Sequence, residues 1–488
     1  MIVYIVLIPL LTALITPILG MFNKKTSFYL ALLNAFATFF IVILTIKKVY
    51  IYGPEKYWFG GFEPPYGIEY VVDSINAIIL FIISLVFIFS VIYSKKSLEE
   101  EVENKRLTLM YTMINLYYTG ILGITITGDI FNLYVFIEIT SLSAYTLIAM
   151  GKNKKALMAS YNYLILGTIG ATFILIGIGY IFMATGSLNM YDIKLRLPAV
   201  YSSKMVRTGF AFLTLGLCLK LALFPLHTWL PNAYTYAPSA IGALLAGTGT
   251  KVSAYALIRI LYSVFTLEFD SKIIPFNFIL LILSCVAIIS GSFLAISQKN
   301  LKKMLAYSSV GQIGYISLGL SIANLNSLQG SIIHIFNHSL MKVSLFFIAG
   351  GIFIKYGYEN INELKGIGRK MPYTMFFFLL SSMSLVGIPF TSGFISKWYL
   401  ILGALEQSYY LVIPVIIISS SLSFIYLWRV IEMAYFDKKE DTMHDVKEVP
   451  LSMLVPIGFS SLLCVFFGIY PKLPISLAEQ AANIILGK

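Results

Sequence analysis

Residues 213–230, LTLGLCLKLALFPLHTWL, place chemically active side chains inside an apolar segment. Lys220 lies among leucines, and Pro225 and His227 follow within about two helical turns. A lysine removed from water can exchange its proton near neutral pH, and a histidine titrates there already. The proline removes a backbone hydrogen bond and frees carbonyl groups near the lysine. The stretch therefore predicts a proton-exchange site beside a break in a helix.

Other ionisable side chains also lie within apolar segments. Each costs about 2.5–3.5 kcal/mol to place at the centre of a membrane helix, so an internal polar path or a set of buried ion pairs is expected. Arginine does not release its proton, which makes the two arginines structural candidates. Asp73, Asp129 and Glu432 lie nearer span ends, and the first two are predicted to cap helices. The full set within spans is Glu138, Lys220, His227, Lys251, Arg259, His334, His338, Lys342, Lys397 and Arg429.

The segments that hold these side chains are those of a membrane protein. Hydrophobic residues make up 58% of the 488-residue chain and charged residues 12%, with a mean hydropathy of +0.84. Soluble domains carry about 25% charged residues, and a run of roughly 20 apolar residues crosses the hydrocarbon core. The sequence predicts an all-α integral membrane protein with about fourteen spans. Its opening stretch, MIVYIVLIPLLTALITPILG, is predicted to be a retained first helix.

Lysine and arginine are distributed unequally between the two sides of this predicted topology. The loops on one side carry 19 of them, and those on the other side, which also holds both termini, carry 10. The positive-inside rule makes the first side cytoplasmic and puts both termini on the extracytoplasmic side. The net charge of +12 is explained in the same way, without nucleic acid as a partner. A prokaryotic plasma membrane is the expected location.

A second apolar segment is interrupted in the same manner as the first. The stretch SLVGIPFTSGFISKW, residues 384–398, contains Pro389, and Lys397 follows it. Interrupted helices in both halves of a transporter indicate an ion path and internal repeats. The two segments run in opposite directions in the predicted topology, as an inverted repeat requires. Aligning the prolines does not superpose Lys220 on Lys397, so the repeat signal from these residues alone is weak.

No metal or cofactor site is predicted. Cys218, Cys285 and Cys464 lie in apolar runs without a CxxC pair, and HIFNH at 334–338 lacks the glutamate of a zinc-binding HExxH motif. GTGTK, which ends at Lys251, is not a phosphate-binding loop. The histidines at 334 and 338 share a helical face and suit proton exchange, with a hydrogen-bonded core role as the alternative.

Five motifs in order show a resemblance that covers nearly the whole chain. The chain resembles the antiporter-like subunits of respiratory complex I, the D-type subunit of Mrp Na⁺/H⁺ antiporters and the corresponding subunits of archaeal membrane-bound hydrogenase-type complexes. The motifs are FNLYVFIEITSLSAYTLIA (131–149), LKLALFPLHTWLPNAYTYAPSAIGALLAGTGTKVSAYALIR (219–259), NLKKMLAYSSVGQIGYISLG (300–319), HIFNHSLMKVSLFFIAGGI (334–352) and VGIPFTSGFISKW (386–398).

The resemblance implies a particular fold. It has a fourteen-helix core with two inverted five-helix repeats, spans 4–8 and 9–13, and breaks in spans 7 and 12 at Pro225 and Pro389. The implied divisions are 1–106 for the first three spans, 107–265 and 266–436 for the two repeats, and 437–488 for the last span and the C-terminal tail.

The resemblance also implies a proton path near the middle of the membrane. Its members would be Glu138, Lys220, Lys251, His334 and Lys397. Apart from the resemblance, the positions of His227, His338 and Lys342 make them further candidates for relay or gating, Lys342 with snorkelling near a helix end as the alternative. The family commonly has an aspartate and a histidine where this chain has Asn232 and Tyr234, so an acidic entry role there is in doubt.

The implied function is proton translocation within a multisubunit membrane complex. The partners would be other antiporter-like and small membrane subunits, with a redox module or Na⁺ exchange through partner subunits as the driving process. The chain shows no redox centre of its own, and whether it is part of an enzyme stays open. Two alternatives remain: a stand-alone secondary transporter of an organic substrate, and a non-conducting scaffold that retains buried ion pairs.

Overall fold

The computed structural model describes residues 1–436 and 447–487, which form twenty α-helices and a two-stranded β-sheet. Residues 437–446, at the start of the predicted last segment, lie outside the described residues. The N-terminal elements are α1 (Ile2–Phe22), α2 (Lys24–Tyr52), β1 (Glu55–Trp58), β2 (Glu69–Val72) and α3 (Ser74–Glu101). The next helices are α4 (Leu107–Ile126), α5 (Ile130–Ala149), α6 (Lys154–Thr185), α7 (Met190–Val200), α8 (Lys204–Leu221), α9 (Leu230–Tyr236), α10 (Ser239–Ile258) and α11 (Thr266–Lys272). The remaining helices are α12 (Phe276–Ile296), α13 (Leu301–Ile322), α14 (Leu325–Tyr356), α15 (Ile367–Lys370), α16 (Pro372–Val386), α17 (Ser392–Glu406), α18 (Val412–Tyr435), α19 (Leu451–Ile469) and α20 (Lys472–Leu486).

Most of these helices suit a membrane interior. Within the described part of the chain, eleven helices have the length and apolar composition needed to cross a bilayer. The other predicted spans coincide with the pair α8 and α9, with α13, and with the pair α16 and α17, which are short, interrupted or more polar. The predicted helical membrane fold is confirmed, and the count of fourteen spans stays a prediction.

Both predicted helix breaks are present and are built alike. Helix α8 is capped by Ala222 at φ 59°, and α16 by Gly387 at φ 86°, so each chain turns out of its helix through the left-handed region. In both cases the N–H of the following residue donates back to a carbonyl of the last helical turn. Pro225 and Pro389 follow at once and prevent the helix from continuing.

A second feature recurs in the two halves. An isolated antiparallel bridge joins Asp129, which caps α5, to Asn189 after α6. A matching bridge joins Asn300, which caps α13, to Asn360 after α14. The two bridges join residues the same number of positions apart along the chain, so the second and third helices of each predicted repeat are tied at their ends in the same way.

The β-hairpin is a small departure from the all-helical prediction. Strands β1 and β2 pair antiparallel between α2 and α3, and Glu69 on β2 is buried between Lys56 (3.3 Å) and the side-chain amide of Asn189 (3.0 Å). Met1 N lies 3.7 Å from Glu55 of the same hairpin. We call this side of the molecule the hairpin face, and the opposite side, which holds residues 23–25 and 152–155, the lysine-rich face.

Two helices form the centre of the molecule. Helix α14 is buried over its apolar length, and α10 is fastened at both ends. At the lysine-rich face, Glu101 accepts hydrogen bonds from the backbone N–H and the hydroxyl of Ser239 at 2.8 Å each, and Lys302 donates to the same hydroxyl at 2.8 Å. At the hairpin face, Arg259 forms a 2.6 Å ion pair with Asp73. These contacts hold Lys251, in the middle of α10, at a fixed depth.

A candidate proton path

Lys220 lies in the last turn of α8 and faces α5. Its ammonium group donates to the Ser141 hydroxyl at 2.7 Å, and the Glu138 carboxylate lies 3.9 Å away. The Lys220 side chain is 5% exposed and that of Glu138 27%, so the lysine is inside the bundle while the glutamate reaches its outer surface. The structure thus brings the predicted pair together, although Lys220 is hydrogen-bonded to Ser141 and only loosely paired with Glu138. Such a loose ion pair can separate without the loss of a direct hydrogen bond.

The break after α8 is packed against aromatic side chains. The Trp229 indole N–H donates to Leu219 O at 3.0 Å, and the Trp229 ring stacks on Tyr163 at 3.9 Å. His227 is buried, its ring stacks on Phe224, and its Nδ1 has no hydrogen-bond partner among the described residues. His227 therefore lies at the break, as a gating role requires, but the structure gives it no contact with Lys220.

Lys251 is fully buried without a counter-ion. Its ammonium group donates to Ala246 O and, at 3.4 Å, to the Thr250 hydroxyl. No carboxylate of the described residues lies within 4.0 Å of it. A buried charge without a partner is costly, so an ordinary structural ion pair does not explain this lysine. Its electrostatic neighbours are His334, His338 and Lys342 of α14.

His334 is hydrogen-bonded to Ser396 through one of its two ring nitrogens. Its Nδ1 lies 2.8 Å from the Ser396 hydroxyl, which itself donates to Gly393 O at 3.1 Å. Ser396 can donate its one proton to Gly393 O, and in that arrangement it accepts the bond from His334 Nδ1–H. The unprotonated Nε2 is then left as a proton acceptor, and it has no hydrogen-bond partner in the described residues. His338 stacks 5.9 Å from His334, and both of its ring nitrogens are equally unpartnered there.

Lys342 is buried at the same level of the bundle. It is 0% exposed and donates to Leu305 O at 2.8 Å and to the Ser308 hydroxyl at 2.5 Å. Snorkelling toward a helix end, one of the two predicted roles, is therefore wrong, because α13 encloses the side chain. Lys342 lies one turn from His338 on α14, so it belongs to the same internal group.

Lys397 marks the far end of the group, next to the second break. Its ammonium group donates to Val386 O at 2.8 Å, to Leu385 O at 3.3 Å and to the Ser420 hydroxyl at 2.9 Å. The first two are carbonyls that the end of α16 leaves free. A cavity of about 550 Å³ at the break reaches Lys397 from the outer surface of the bundle, between α17 and α18.

The remaining predictions have simpler outcomes. Asp73 caps α3 and Asp129 caps α5, which confirms their capping role. Arg259 pairs with Asp73, and Arg429 donates to two backbone carbonyls of the α12–α13 connection. Both arginines are structural, as predicted. Within the described residues no cluster of three or more histidine, cysteine or acidic side chains could hold a metal ion.

Sequence reasoning missed the hydroxyl groups that hold the basic side chains. The amino acids themselves give a weak signal, since serine is common in membrane helices for packing reasons. The local signal is position: Ser141 lies one turn after Glu138, and Ser396 precedes Lys397 directly. A hydrogen bond between two hydroxyls, those of Tyr117 and Thr248 at 2.8 Å, joins α4 to α10 close to Lys251.

These features define a class: a multi-pass membrane protein with a line of buried basic and histidine side chains across its helix bundle. The family model described as NADH:quinone oxidoreductase/Mrp antiporter, transmembrane, matches residues 127–423, and the chain belongs to this family. The predicted resemblance is thereby confirmed.

Relatives share the full length of the chain. It is 38% identical to the N-type subunit of the NADH-quinone oxidoreductase of Desulforudis audaxviator over 98% of both proteins. It is 27% identical to the D-type subunit of the Na⁺/H⁺ antiporter of Bacillus subtilis, over 99% of this chain and 97% of that protein.

Solved structures share the fold. A chain of the membrane-bound sulfane sulfur reductase, an archaeal respiratory membrane complex, superposes with a TM-score of 0.92 at 29% identity, covering 99% of this chain and 97% of that one. A chain of the Mrp complex from Dietzia sp. superposes with a TM-score of 0.90 at 23% identity, covering 99% and 97%. At that identity the second likeness supports the fold alone.

Proposed function

We propose that this chain is the proton-translocating, antiporter-like subunit of a multisubunit membrane complex. The observation that carries the proposal is the set of buried basic and histidine side chains bonded to hydroxyls and carbonyls. Lys220 has a carboxylate nearby, whereas Lys251, Lys342 and Lys397 have none within 4.0 Å among the described residues. Static ion pairs do not account for such a set. Groups that bind and release protons do.

The path begins at Glu138 and Lys220. With Glu138 close, the Lys220 ammonium group is stabilised; when the carboxylate turns toward the outer surface, the lysine keeps only Ser141. The lost attraction favours release of the proton inward, toward Lys251. His338 and His334 then connect Lys251 with Lys397, because their ring nitrogens can accept and donate in turn. His227 and Lys342 act as gating or accessory groups.

Both ends of this path reach the outer surface of the helix bundle. Glu138 reaches the outer surface of α5, and Lys397 is reached through the cavity between α17 and α18. These are the places where neighbouring antiporter-like or small membrane subunits would change the charge around the path. The relatives named above belong to Mrp, complex I and related assemblies, which supports such partners. A redox module, or Na⁺ exchange through partner subunits, would drive the process.

The two halves act as related units in this proposal. The units are 107–265 and 266–436, preceded by 1–106 and followed by 437–488, and the matching bridges and helix breaks support the division. The protein would lie in a prokaryotic plasma membrane with the lysine-rich face toward the cytoplasm. No cofactor is assigned to the chain.

The decisive test compares Lys251→Arg with Lys251→Ala in the assembled complex, reconstituted in vesicles. Arginine keeps its proton, so a relay role predicts that both variants lose most proton flux. A static counter-ion role predicts that Arg substitutes and Ala does not, and an active arginine variant would exclude Lys251 from the relay. Lys355→Ala, an exposed lysine at the end of α14, serves as the control and should transport normally. Subunit content must match across all variants.

A further inference from the structure

A cavity of about 560 Å³ lies at the lysine-rich face, remote from the proton path. It is formed by the start of α2, the end of α3 and the start of α4. Its walls combine basic side chains with aromatic rings. The residues that line it are Lys24, Lys25, Phe28, Tyr29, Lys95, Lys96, Glu99, Glu100, Asn104, Leu107 and Tyr111.

The charges in this cavity are unbalanced. Lys96 is neutralised by Glu100 at 2.8 Å and Glu99 at 3.8 Å. No carboxylate of the described residues comes within 4.0 Å of the other three lysines, which are Lys24, Lys25 and Lys95. The first two open helix α2, whose N-terminal N–H groups add partial positive charge at the same place. The cavity therefore attracts an anion.

The opposite wall of the cavity is apolar. The Lys95 ammonium group lies 5.4 Å from the centre of the Phe28 ring, which meets Tyr111 edge-on at 6.0 Å. Below it, Tyr29 and Leu33 continue one exposed stripe along α2 and are 56% and 65% exposed. An anion with a long apolar tail would fit both parts, with its charge among the lysines and its tail along α2.

We propose that this cavity binds the phosphate headgroup of an anionic membrane lipid, whose acyl chains lie along the exposed face of α2. Basic pockets between membrane helices on the cytoplasmic side are known to take such headgroups. The site is independent of proton translocation. Topology alone would explain lysines anywhere on this face, but it does not explain three of them around one cavity that continues into a lipid-facing stripe.

The chain contains a matched control for this proposal. Helix α6 begins with Asn153-Lys154-Lys155, the same three residue types that open α2 at Asn23-Lys24-Lys25, and both asparagines cap their helices. Lys154 and Lys155 are exposed on the same face but do not line the cavity. Changing either pair removes the same charge at the same depth. Only the first pair belongs to the proposed site.

The experiment measures phosphatidylglycerol bound to the intact complex by native mass spectrometry, together with its thermal stabilisation of the complex over a zwitterionic lipid. The double variant Lys24→Gln/Lys25→Gln should bind several-fold less lipid, and the triple variant that adds Lys95→Gln should bind at least about tenfold less. The double variant Lys154→Gln/Lys155→Gln should bind as wild type does. Equal lipid retention in the triple variant would overturn the proposal.

Two further arms identify the ligand. Inorganic phosphate at matched concentration should not stabilise wild type; if it replaces the lipid fully, the cavity is an ion site and the lipid assignment is wrong. The subunit content of the triple variant should be unchanged. If that variant loses a partner subunit while its lipid content stays the same, the surface is a protein interface and the proposal fails.

Discussion

At the scale of single residues, the contact between Glu138 and Lys220 makes a direct prediction. Glu138→Gln keeps the size of the side chain and removes the negative charge 3.9 Å from the Lys220 ammonium group. Lys220 then holds its proton less well, and proton flux in reconstituted vesicles should fall at least about tenfold while the complex still assembles. Normal flux in this variant would show that the pair only fixes the packing of α5 against α8.

Ser396 is predicted to set the protonation state of His334. Ser396→Ala removes the acceptor for His334 Nδ1–H, so the ring can exchange tautomers or reorient, whereas Ser396→Thr retains a hydroxyl. In ¹⁵N spectra of histidine-labelled protein, wild type and the threonine variant should show His334 protonated at Nδ1, and the alanine variant a mixture.

A purely structural role for Ser396 gives a different pattern. Alanine would then lower thermal stability but leave the tautomer unchanged, since packing rather than the hydrogen bond would hold the ring. Proton flux measured on the same samples links the two readouts: it should fall with the loss of the Nδ1–H tautomer and recover in the threonine variant. A changed tautomer with unchanged flux would remove His334 from the path.

The sequence was informative about the charged members of the site and uninformative about their partners. A lysine in an apolar segment, such as Lys251 or Lys397, is conspicuous because inserting it is costly. A serine there costs little, so Ser396 and Ser420 could not be singled out before the helices were placed. The burial of Lys342 was also unpredictable, because it depends on how α13 covers α14.

At the scale of elements, the sequence predicted the two helix breaks but not the β-hairpin. Pro225 and Pro389 each remove a backbone donor inside an apolar span and so predicted the two breaks. Proline alone is not sufficient, since α1 and α19 continue through Pro9, Pro17 and Pro456. Strands β1 and β2 have four residues each, and Glu69 on β2 contacts Lys56 of the neighbouring strand and Asn189 from a distant part of the chain. Contacts of that kind are tertiary, and local residue pattern does not reveal them.

The helix break after α16 leads to a prediction about Gly387. Gly387 has a φ of 86°, and a Cβ there would lie 3.0 Å from Lys397 Cδ. Gly387→Ala therefore combines backbone strain of about 1–2 kcal/mol with displacement of the Lys397 side chain. We expect lower thermal stability and a loss of proton flux.

Gly357 supplies the control for that substitution. It caps α14 at a φ of 70°, and no atom lies within 4 Å of a Cβ built on it. Gly357→Ala should cost similar strain without moving any member of the path, so flux per assembled complex should be retained. If both variants lost flux equally, strain or misassembly would be the cause, and the specific contact between Gly387 and Lys397 would not matter.

At the scale of the whole molecule, the two halves share construction that residue types alone show weakly. Aligned by their prolines, the two broken segments do not superpose their lysines. Aligned by backbone geometry, they share a left-handed cap, a returning N–H and a lysine close to the break. The proposed repeat is thus supported by backbone hydrogen bonding more than by side chains, which is why residue types alone indicated it weakly.

The orientation of the whole molecule in its membrane is the last prediction. The excess of lysine and arginine on one face, 19 against 10, places that face in the cytoplasm and the hairpin face outside. Tyr66, in the hairpin turn, is 94% exposed, and Lys154 is exposed on the opposite face. Tyr66→Cys should react with a membrane-impermeant thiol reagent in intact cells, whereas Lys154→Cys should react only after the cells are opened. The native Cys218 and Cys464 are buried, whereas Cys285 is partly exposed, so labelling of the parent protein without a new cysteine gives the background. The opposite labelling pattern would place the lysine-rich face and the proposed lipid-binding cavity outside the cytoplasm, without changing the proposed order of residues along the proton path.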